Sequence, residues 1–206
     1  MDFENNKATI RGRILENLTF DYEVFGEKIY SSTIDVIRTS GNHDIIPIKI
    51  SERAIDVQKD CQGAFVNVLG QFRSYDRYES DRRKLILYMF VDEMSFIDDL
   101  KWNNHSNNAY IDGYICKEPV FRETPKGREI ADVLLAVNRA CQKTDYIPCV
   151  FWGRNAHYVT NLEVGTRLQL NGRIQSREYL KKMPDKTFDK RTAYEFSVGR
   201  MAVKND

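Results

Sequence analysis

The hydrophobic pattern of residues 145–153, DYIPCVFWG, predicts a strand that is apolar or aromatic on both faces. Side chains alternate across a strand. The two faces are Ile147, Cys149 and Phe151 on one side, and Tyr146, Val150 and Trp152 on the other. A hydrophobic core accounts for one face, and we assign Ile147 and Phe151 to it. The aromatic residues of the second face need another explanation.

The pattern around this strand occurs twice in the chain. TIRGRI (9–14) matches YIDGYI (110–115) at a shift of 101 residues, and DIIP (44–47) matches DYIP (145–148) at the same shift. The shift becomes 102 where GAFVNVLGQF begins at residue 63, and 107 where Val91 faces Val198. Small changes of shift between matched blocks are typical of loops of different length. The sequence therefore predicts two copies of one fold.

Each copy reads as a series of short strands. In the second copy the predicted strands are Ala109–Cys116, Glu129–Asn138, Tyr146–Trp152, Arg167–Glu178 and Thr192–Met201. One helix is predicted at 154–165, and 53–63 is the corresponding stretch of the first copy. Five strands with a helix between the third and fourth are typical of the OB-fold. We predict an all-β protein of two tandem OB-fold barrels, each with five strands and one short helix: a first barrel over 1–100, a linker over 101–108 and a second barrel over 109–206.

Glycine and proline recur at equivalent places in the two copies. Gly70 and Gly172 lie inside predicted strands, where glycine indicates a bend or bulge. Pro47 and Pro148 lie in the strand that carries the aromatic face, and proline cannot donate to a sheet ladder. We expect this strand to have an open or bulged N-terminal end, where an edge can receive a ligand or a partner.

The composition is that of a globular protein and gives no sign of a membrane or metal protein. The 206 residues are 42% hydrophobic and 30% charged, with no apolar run near the roughly 18 residues of a membrane span. The N-terminus does not read as a signal peptide, so we expect a cytoplasmic protein. The four cysteines form no C-x-x-C pair and the three histidines are far apart. We expect free cysteines, no metal, no cofactor and no catalytic residues.

The net charge of +1 hides an asymmetry between the copies. Residues 1–108 hold 14 Lys and Arg against 18 Asp and Glu, whereas residues 109–206 hold 17 against 12. The second copy is therefore the candidate for contact with a polyanion. Its segment 177–191, REYLKKMPDKTFDKR, has six Lys or Arg against three Asp or Glu and includes two aromatic residues. This mixture suits a hairpin arm that wraps a nucleic-acid strand.

The second copy resembles bacterial single-stranded DNA-binding proteins of the SSB family. The resemblance rests on TPKG (124–127) before an alternating strand that ends in LAVNR, on the step Trp152–Gly153–Arg154, and on GRIQSREY (172–179). It implies sequence-independent binding of single-stranded DNA in replication, recombination or repair. By the same resemblance, bases stack on Tyr146, Trp152 and Tyr179, and the basic contacts are Arg122, Arg154 and Arg177. From the basic arm we add Lys181 and Lys182.

The first copy departs from this pattern. It has Ile45 and Ser51 where the second copy has Tyr146 and Trp152. We therefore expect it to supply assembly surface or spacing, with the arginine-flanked Tyr75 and Tyr78 as a secondary contact. The chain ends at VGRMAVKND, so we expect no acidic C-terminal recruitment tail of the kind typical of the family. By analogy with the four-barrel family assembly, two barrels per chain predict a homodimer.

Two other functions fit the same residues. Exposed aromatic residues also mark protein interfaces, so a protein-interaction module of a replication or conjugation complex is one alternative. An RNA-binding OB protein is the other, because the fold binds both nucleic acids.

Overall fold

The computed structural model describes residues 4–79, 82–98, 106–140, 142–183 and 186–204. The elements of the first half are β1 (Asn6–Ile14), β2 (Thr19–Val24), β3 (Glu27–Ile37), β4 (His43–Ser51), β5 (Phe65–Glu79) and β6 (Arg82–Phe96). Those of the second half are β7 (Asn107–Ile115), β8 (Val120–Glu123), β9 (Glu129–Asn138), β10 (Thr144–Trp152), α1 (Arg154–Thr160), β11 (Arg167–Lys182) and β12 (Phe188–Lys204). The predicted linker 101–108 lies partly outside the described residues, and its last two residues already belong to β7.

Each half closes into a barrel. In the first half β1 pairs with both β3 and β5, and in the second half β7 pairs with both β9 and β11. Parallel pairs β4–β6 and β10–β12 join the ends of each barrel. The prediction of an all-β fold with two tandem OB-type barrels is confirmed. The structure adds two strands that were not predicted, β2 and β8. All their residues are exposed, so neither strand has one buried face to produce an alternating hydrophobic pattern in the sequence.

Only the second half has a helix among the described residues. The predicted 154–165 helix is observed as α1 and ends at Thr160. The corresponding stretch 53–63 forms turns instead. Asp56 and Asp60 accept hydrogen bonds from the backbone N–H groups two residues ahead, and Asn17 accepts the N–H of Cys61. Side chains that bind nearby backbone groups in this way compete with the helical hydrogen-bond ladder.

The two barrels are related by a local twofold axis. Strand β1 pairs antiparallel with β7, and Ala8 lies opposite Ala109, its own counterpart at the shift of 101. The same relation appears in side-chain contacts. Asn6 donates to the carbonyl of Phe72 and accepts its N–H, and Asn107 does the same with Ile174. The barrels therefore meet as a pseudo-dimer within one chain.

Each barrel also sends its long hairpin onto the other. In the second barrel Asp145 is buried and accepts hydrogen bonds from Arg139 and from the backbone N–H of Ser74, which belongs to β5 of the first barrel. Ser74 Oγ accepts the N–H of Tyr146 at 2.7 Å, and Ser74 O accepts from Arg139 at 3.0 Å. The hairpin β5–β6 is thereby fastened to the start of β10. We call this arrangement the Asp145 brace.

The mirror arrangement is the Asp44 brace. Asp44 accepts from Arg38 and from the N–H of Ser176 in β11, and Ser176 Oγ accepts the N–H of Ile45 at 2.9 Å. The expected open edge at the start of this strand is therefore present, and the other barrel's hairpin occupies it. Pro47 fits there because its backbone nitrogen lies on the same edge as that of Ile45 and needs no acceptor.

The expected bulges are present in both long hairpins. The β5–β6 register shifts between Leu69 and Gly70, and the β11–β12 register shifts between Asn171 and Gly172. A Cβ at Gly70 would lie 2.0 Å from the carbonyl oxygen of Phe90, and one at Gly172 would lie 2.1 Å from that of Ser197. Only glycine permits this close backbone approach.

Candidate nucleic-acid interface

Strand β10 places the two predicted faces on opposite sides, but Val150 of the outer face is buried. Ile147 and Phe151 are fully buried in the core, while Tyr146 and Trp152 are partly exposed on the outer face. The indole Nε1–H of Trp152 donates to Ser197 Oγ on the neighbouring β12 at 3.2 Å. The Asp145 brace fixes the backbone of Tyr146. The Trp152 ring and the Tyr146 backbone are therefore held in place, and part of each ring remains open to solvent.

The arm formed by β11 and β12 carries the third predicted ring and both predicted lysines. Tyr179 is 38% exposed, and the guanidinium carbon of Arg177 lies 5.6 Å from its ring centroid. Lys181 and Lys182 are exposed at the end of β11. The arm also exposes Phe188, which pairs with Lys182 across the hairpin. Rings and cations thus alternate along the arm.

The three predicted arginines differ in their partners. Arg122 makes two hydrogen bonds to the carboxylate of Asp132, and this contact raises the pKa of Arg122. Arg177 Nε lies 3.6 Å from Glu195 Oε1. Arg154 is exposed in the first turn of α1. Arg122 and Arg177 must therefore exchange a carboxylate for a phosphate if they contact nucleic acid.

The sequence interpretation missed residues that hold the site in place. Ser197 binds the Trp152 indole, and Ser74 binds the backbone of Tyr146. Glu195 is buried on the outer face, where it accepts a hydrogen bond from Gln175 at 2.7 Å and lies beside Arg177. The repeat itself offers one signal, because Ser74 and Ser176 are equivalent at the shift of 102. Ser197 and Glu195 have no such signal.

The corresponding surface of the first barrel lacks the β10 rings, as predicted. Ile45 and Ser51 occupy the equivalent positions, and Ser51 is buried and hydrogen-bonded to Glu27. Tyr75 and Tyr78 are exposed on the hairpin β5–β6. Arg73 lies with its guanidinium carbon 4.2 Å from the ring centroid of Phe90.

A cleft of about 640 Å³ lies at the junction of the two barrels. Its lining includes Arg73 and Asp92 from the first barrel and Arg139 and Asp145 from the second. None of the eight predicted nucleic-acid contacts lines it. The cleft is therefore separate from the predicted interface.

The described residues contain no group of three or more His, Cys, Asp or Glu side chains placed to hold a metal ion. Cys61 and Cys149 are buried, and burial raises the pKa of the Cys149 thiol. Cys116 is only partly buried, and Cys141 lies outside the described residues. Over the same described ranges, no helix has the length and apolar character needed to span a bilayer.

Comparison with known proteins agrees with this geometry. Residues 106–203 match the model of the Single-strand binding protein family. Single-stranded DNA-binding protein A of Bacillus subtilis is 35% identical over 89 residues, which are 40% of this chain and 52% of that protein. A single-stranded DNA-binding protein of Bacillus cereus is 38% identical over 80 residues, covering 35% of this chain and 47% of that protein. The matched segment spans about half the length of these curated relatives.

Solved structures match the whole two-barrel chain. The wild-type single-stranded DNA binding protein from Thermus aquaticus superposes with a TM-score of 0.75 at 16% identity, over 98% of this chain and 93% of that one. A deletion mutant of the same protein gives a TM-score of 0.72. At this identity the likeness establishes the fold. The resemblance of the second copy to the single-strand binding protein family is therefore confirmed over residues 106–203.

Proposed function

We propose that this chain is a non-catalytic protein that binds single-stranded DNA without sequence preference through its second barrel. The observation that carries the proposal is the pair of partly exposed rings, Tyr146 and Trp152, held on the outer face of β10 beside the basic arm. The names of the relatives of residues 106–203 support it.

The contacts differ in what they contribute. Stacking a base on an aromatic ring contributes about 1–3 kcal/mol and accepts any base, because every base has a π-face. We assign the stacking to Tyr146, Trp152 and Tyr179. The exposed Lys181 and Lys182 and the exposed Arg154 supply phosphate contacts that weaken as salt rises. Arg122 and Arg177 contribute less, because each already has a carboxylate partner.

We further propose that the chain acts in the cytoplasm, in replication, recombination or repair, and that it forms a homodimer. The pseudo-dimer of barrels within one chain supports the homodimer, because two such chains present four barrels. Light scattering gives the test. A mass of one chain at working concentrations contradicts the homodimer without affecting the binding proposal.

The binding proposal is tested by fluorescence. The chain has two tryptophans, and Trp102 lies outside the described residues. In a Trp102→Phe background the emission reports Trp152 alone. We expect an oligothymidine of about 35 nucleotides, long enough for two barrels at about 4–16 nucleotides each, to quench this emission. Quenching should weaken between low and high salt.

A variant pair identifies the surface. Trp152→Ala/Tyr179→Ala should lose most affinity for a labelled oligothymidine, measured by anisotropy. Phe96 is as exposed as Tyr179 but lies at the far end of the first barrel's hairpin. Phe96→Ala should therefore retain affinity. Failure of the unaltered protein to bind overturns the proposal and favours a protein-interaction module. Tighter binding of a matched RNA oligomer makes it an RNA-binding protein instead.

A further inference from the structure

The strands of the two barrels form one continuous sheet that begins with β2 and ends with β8. Among the described strands, β2 pairs with β3 alone and β8 pairs with β9 alone. The two end strands are equivalent at the shift of 101, which matches Phe20 to Phe121. The unpaired side of an end strand presents N–H and C=O groups that can pair with a further strand. The sheet therefore has one such edge on each barrel, the β2 edge and the β8 edge.

The direction of the backbone groups on β2 follows from its ladder with β3. Glu23 lies opposite Lys28. The carbonyl of Lys28 bonds on the far side of β3, where it accepts the N–H of Glu52. In an antiparallel ladder, a residue whose partner bonds away from it directs its own N–H and C=O away as well. Glu23 therefore directs its backbone groups to the β2 edge.

Strand β8 has the same arrangement. Glu123 lies opposite Glu129, and the carbonyl of Glu129 accepts the N–H of Gly153 on the far side of β9. Glu123 therefore directs its backbone groups to the β8 edge. Backbone direction alternates along a strand, and the ladder between β8 and β9 has no register shift, so Phe121 does the same.

Both edges also expose apolar side chains. Every residue of β2 and of β8 is exposed. Val24 and Phe25 are exposed at the end of β2 next to its turn, and Val120 is exposed at the start of β8. An exposed edge strand with apolar side chains is a template for pairing with another chain.

The two edges carry charges of opposite sign. The segment 16–27, which contains β2, has four Asp or Glu and no Lys or Arg. The equivalent segment 117–128, which contains β8, has four Lys or Arg against two Asp or Glu. Two copies of the same edge therefore repel each other, whereas a β2 edge and a β8 edge attract each other. Charge protects an edge strand against pairing, and here it protects each edge only against its own kind.

We propose that the β2 edge of one chain pairs antiparallel with the β8 edge of a second copy of this chain. Matching the outward backbone groups places Glu23 opposite Phe121 of the second copy. Val24 then lies opposite Val120 of the second copy, which gives an apolar cross-strand pair. The contact specifies an assembly surface on the first barrel, the role that the sequence of the first copy suggests.

A contact between unlike edges does not close on itself. Each chain keeps one edge of each kind available, so chains add end to end. This arrangement differs from the proposed homodimer, which would stop at two chains. Strand β8 has only four residues, so the contact is small and is favoured when chains are held close together. The inference goes beyond the proposed function, because edge pairing requires no nucleic acid.

The first test measures the association of the unaltered full chain without nucleic acid. Sedimentation equilibrium is run over a range of protein concentrations at low and at high salt. We expect the weight-average mass to increase with concentration beyond the mass of two chains. The increase should be smaller at high salt, because salt screens the attraction between the two exposed edges.

Charge reversal at one edge should weaken this association. Glu16→Lys/Glu23→Lys alters only the β2 edge, and Lys117→Glu/Lys126→Glu alters only the β8 edge. Each variant alone should associate at least about 10-fold more weakly, because the complementary charges are lost or reversed. In a mixture, the first variant supplies an unaltered β8 edge and the second an unaltered β2 edge. Energy transfer between the two labelled variants should therefore exceed that within either variant alone.

Two controls separate edge pairing from a general effect of charge. Asp98→Lys/Glu163→Lys makes the same change of charge at exposed residues outside both edge segments and should associate as the unaltered chain does. Glu23→Pro removes an N–H that faces outward, a change that an edge strand accepts, and should weaken association. Glu23→Gln keeps that N–H and should weaken association less. An unchanged thermal midpoint shows that each variant is folded.

Three results would overturn the inference. The first is a mass of the unaltered chain that never exceeds two chains, in which case a homodimer uses another surface. The second is equal association of the unaltered chain and Glu16→Lys/Glu23→Lys. The third is a mixture of the two edge variants with no more energy transfer than either alone. The oligothymidine titration tests the proposed function separately. If chains pair by their edges and none binds the oligomer, the proposed function fails and this inference stands.

Discussion

The two barrels share a framework but place different chemistry on equivalent outer positions. The equivalent pairs, first barrel before second, are Asp21 and Arg122, Ile45 and Tyr146, Lys49 and Val150, Ser51 and Trp152, Tyr75 and Arg177, and Tyr88 and Glu195. In the first barrel a lysine lies among tyrosines. In the second, rings follow β10 while an arginine and a carboxylate pair beside it.

The difference shows which features the pseudo-dimer requires and which it leaves free. The Asp44 and Asp145 braces repeat bond for bond, as do the bulges at Gly70 and Gly172. The outer faces of β4 and β10 do not repeat. These outward-facing positions lie outside the interior of each barrel, so their side chains differ between the two barrels while the fold stays the same.

The largest effect is expected from the braces. Asp44→Ala and Asp145→Ala each leave an arginine and a serine N–H without the carboxylate that they share. Removing one partner of a buried ion pair costs about 3–5 kcal/mol. We expect both variants to lower the free energy of unfolding by similar amounts, measured by urea titration.

A matched control is Asp132→Ala, which breaks the more exposed pair with Arg122 and should cost less than about 1 kcal/mol. A large cost at Asp145 with a small one at Asp44 would show that only one hairpin depends on its brace, and the equivalence of the two barrels would fail.

The bulges should give the next largest effect. Gly70→Ala and Gly172→Ala place a methyl group against a backbone carbonyl that cannot move independently, and such overpacking costs about 1–3 kcal/mol or more. Thermal unfolding should show a lowered midpoint for both. Gly199→Ala, whose added Cβ would lie 3.4 Å from Asn171 O, should be close to neutral. A neutral result at one bulge would show that this hairpin can straighten.

The features that repeat are those that the sequence predicts well. The shift of 101 residues identifies the two copies, their strands and the counterparts Ala8 and Ala109. Pro47 and Pro148 correctly indicate an open strand edge. The sequence does not identify the other barrel's hairpin as the occupant, because that depends on a contact between residues about 70 or 130 positions apart.

The features that the sequence did not predict correctly are exposed strands and irregular backbone. Strands β2 and β8 lie on the surface without alternating burial, and 53–63 is turned by aspartate side chains in place of a helix. Lys49 of the first barrel meets the rings of Tyr22, Tyr75 and Tyr88 from three other strands, so no local pattern marks these contacts. The eight predicted contacts of the second barrel remain a prediction.

Exchanging one residue between the barrels should affect binding more than stability. Trp152→Ser gives the second barrel the residue that the first has at Ser51. We expect affinity for an oligothymidine to fall by about 1–3 kcal/mol, the contribution of one stacked base. Trp152→Phe keeps a ring, loses only the bond to Ser197, and should retain most of the affinity. Equal loss in both variants would mean that binding needs the bond from the indole N–H to Ser197 and not a ring alone.

The smallest effect should come from Glu195, the residue equivalent to Tyr88. Glu195→Gln removes the charge that holds Arg177 at 3.6 Å while a polar side chain remains for Gln175. Arg177 then becomes available to a phosphate. We expect affinity for single-stranded DNA to rise about 2- to 5-fold, the range of one weak ion pair whose arginine is half exposed. The salt dependence of affinity should steepen by about 0.7 log units per log unit of salt for the one added phosphate contact.

Tyr88→Phe, at the equivalent position of the first barrel, keeps its ring and should change neither value. A fall in affinity for Glu195→Gln would show that the carboxylate positions Arg177 for the strand, as Asp21 holds Lys49 in the first barrel.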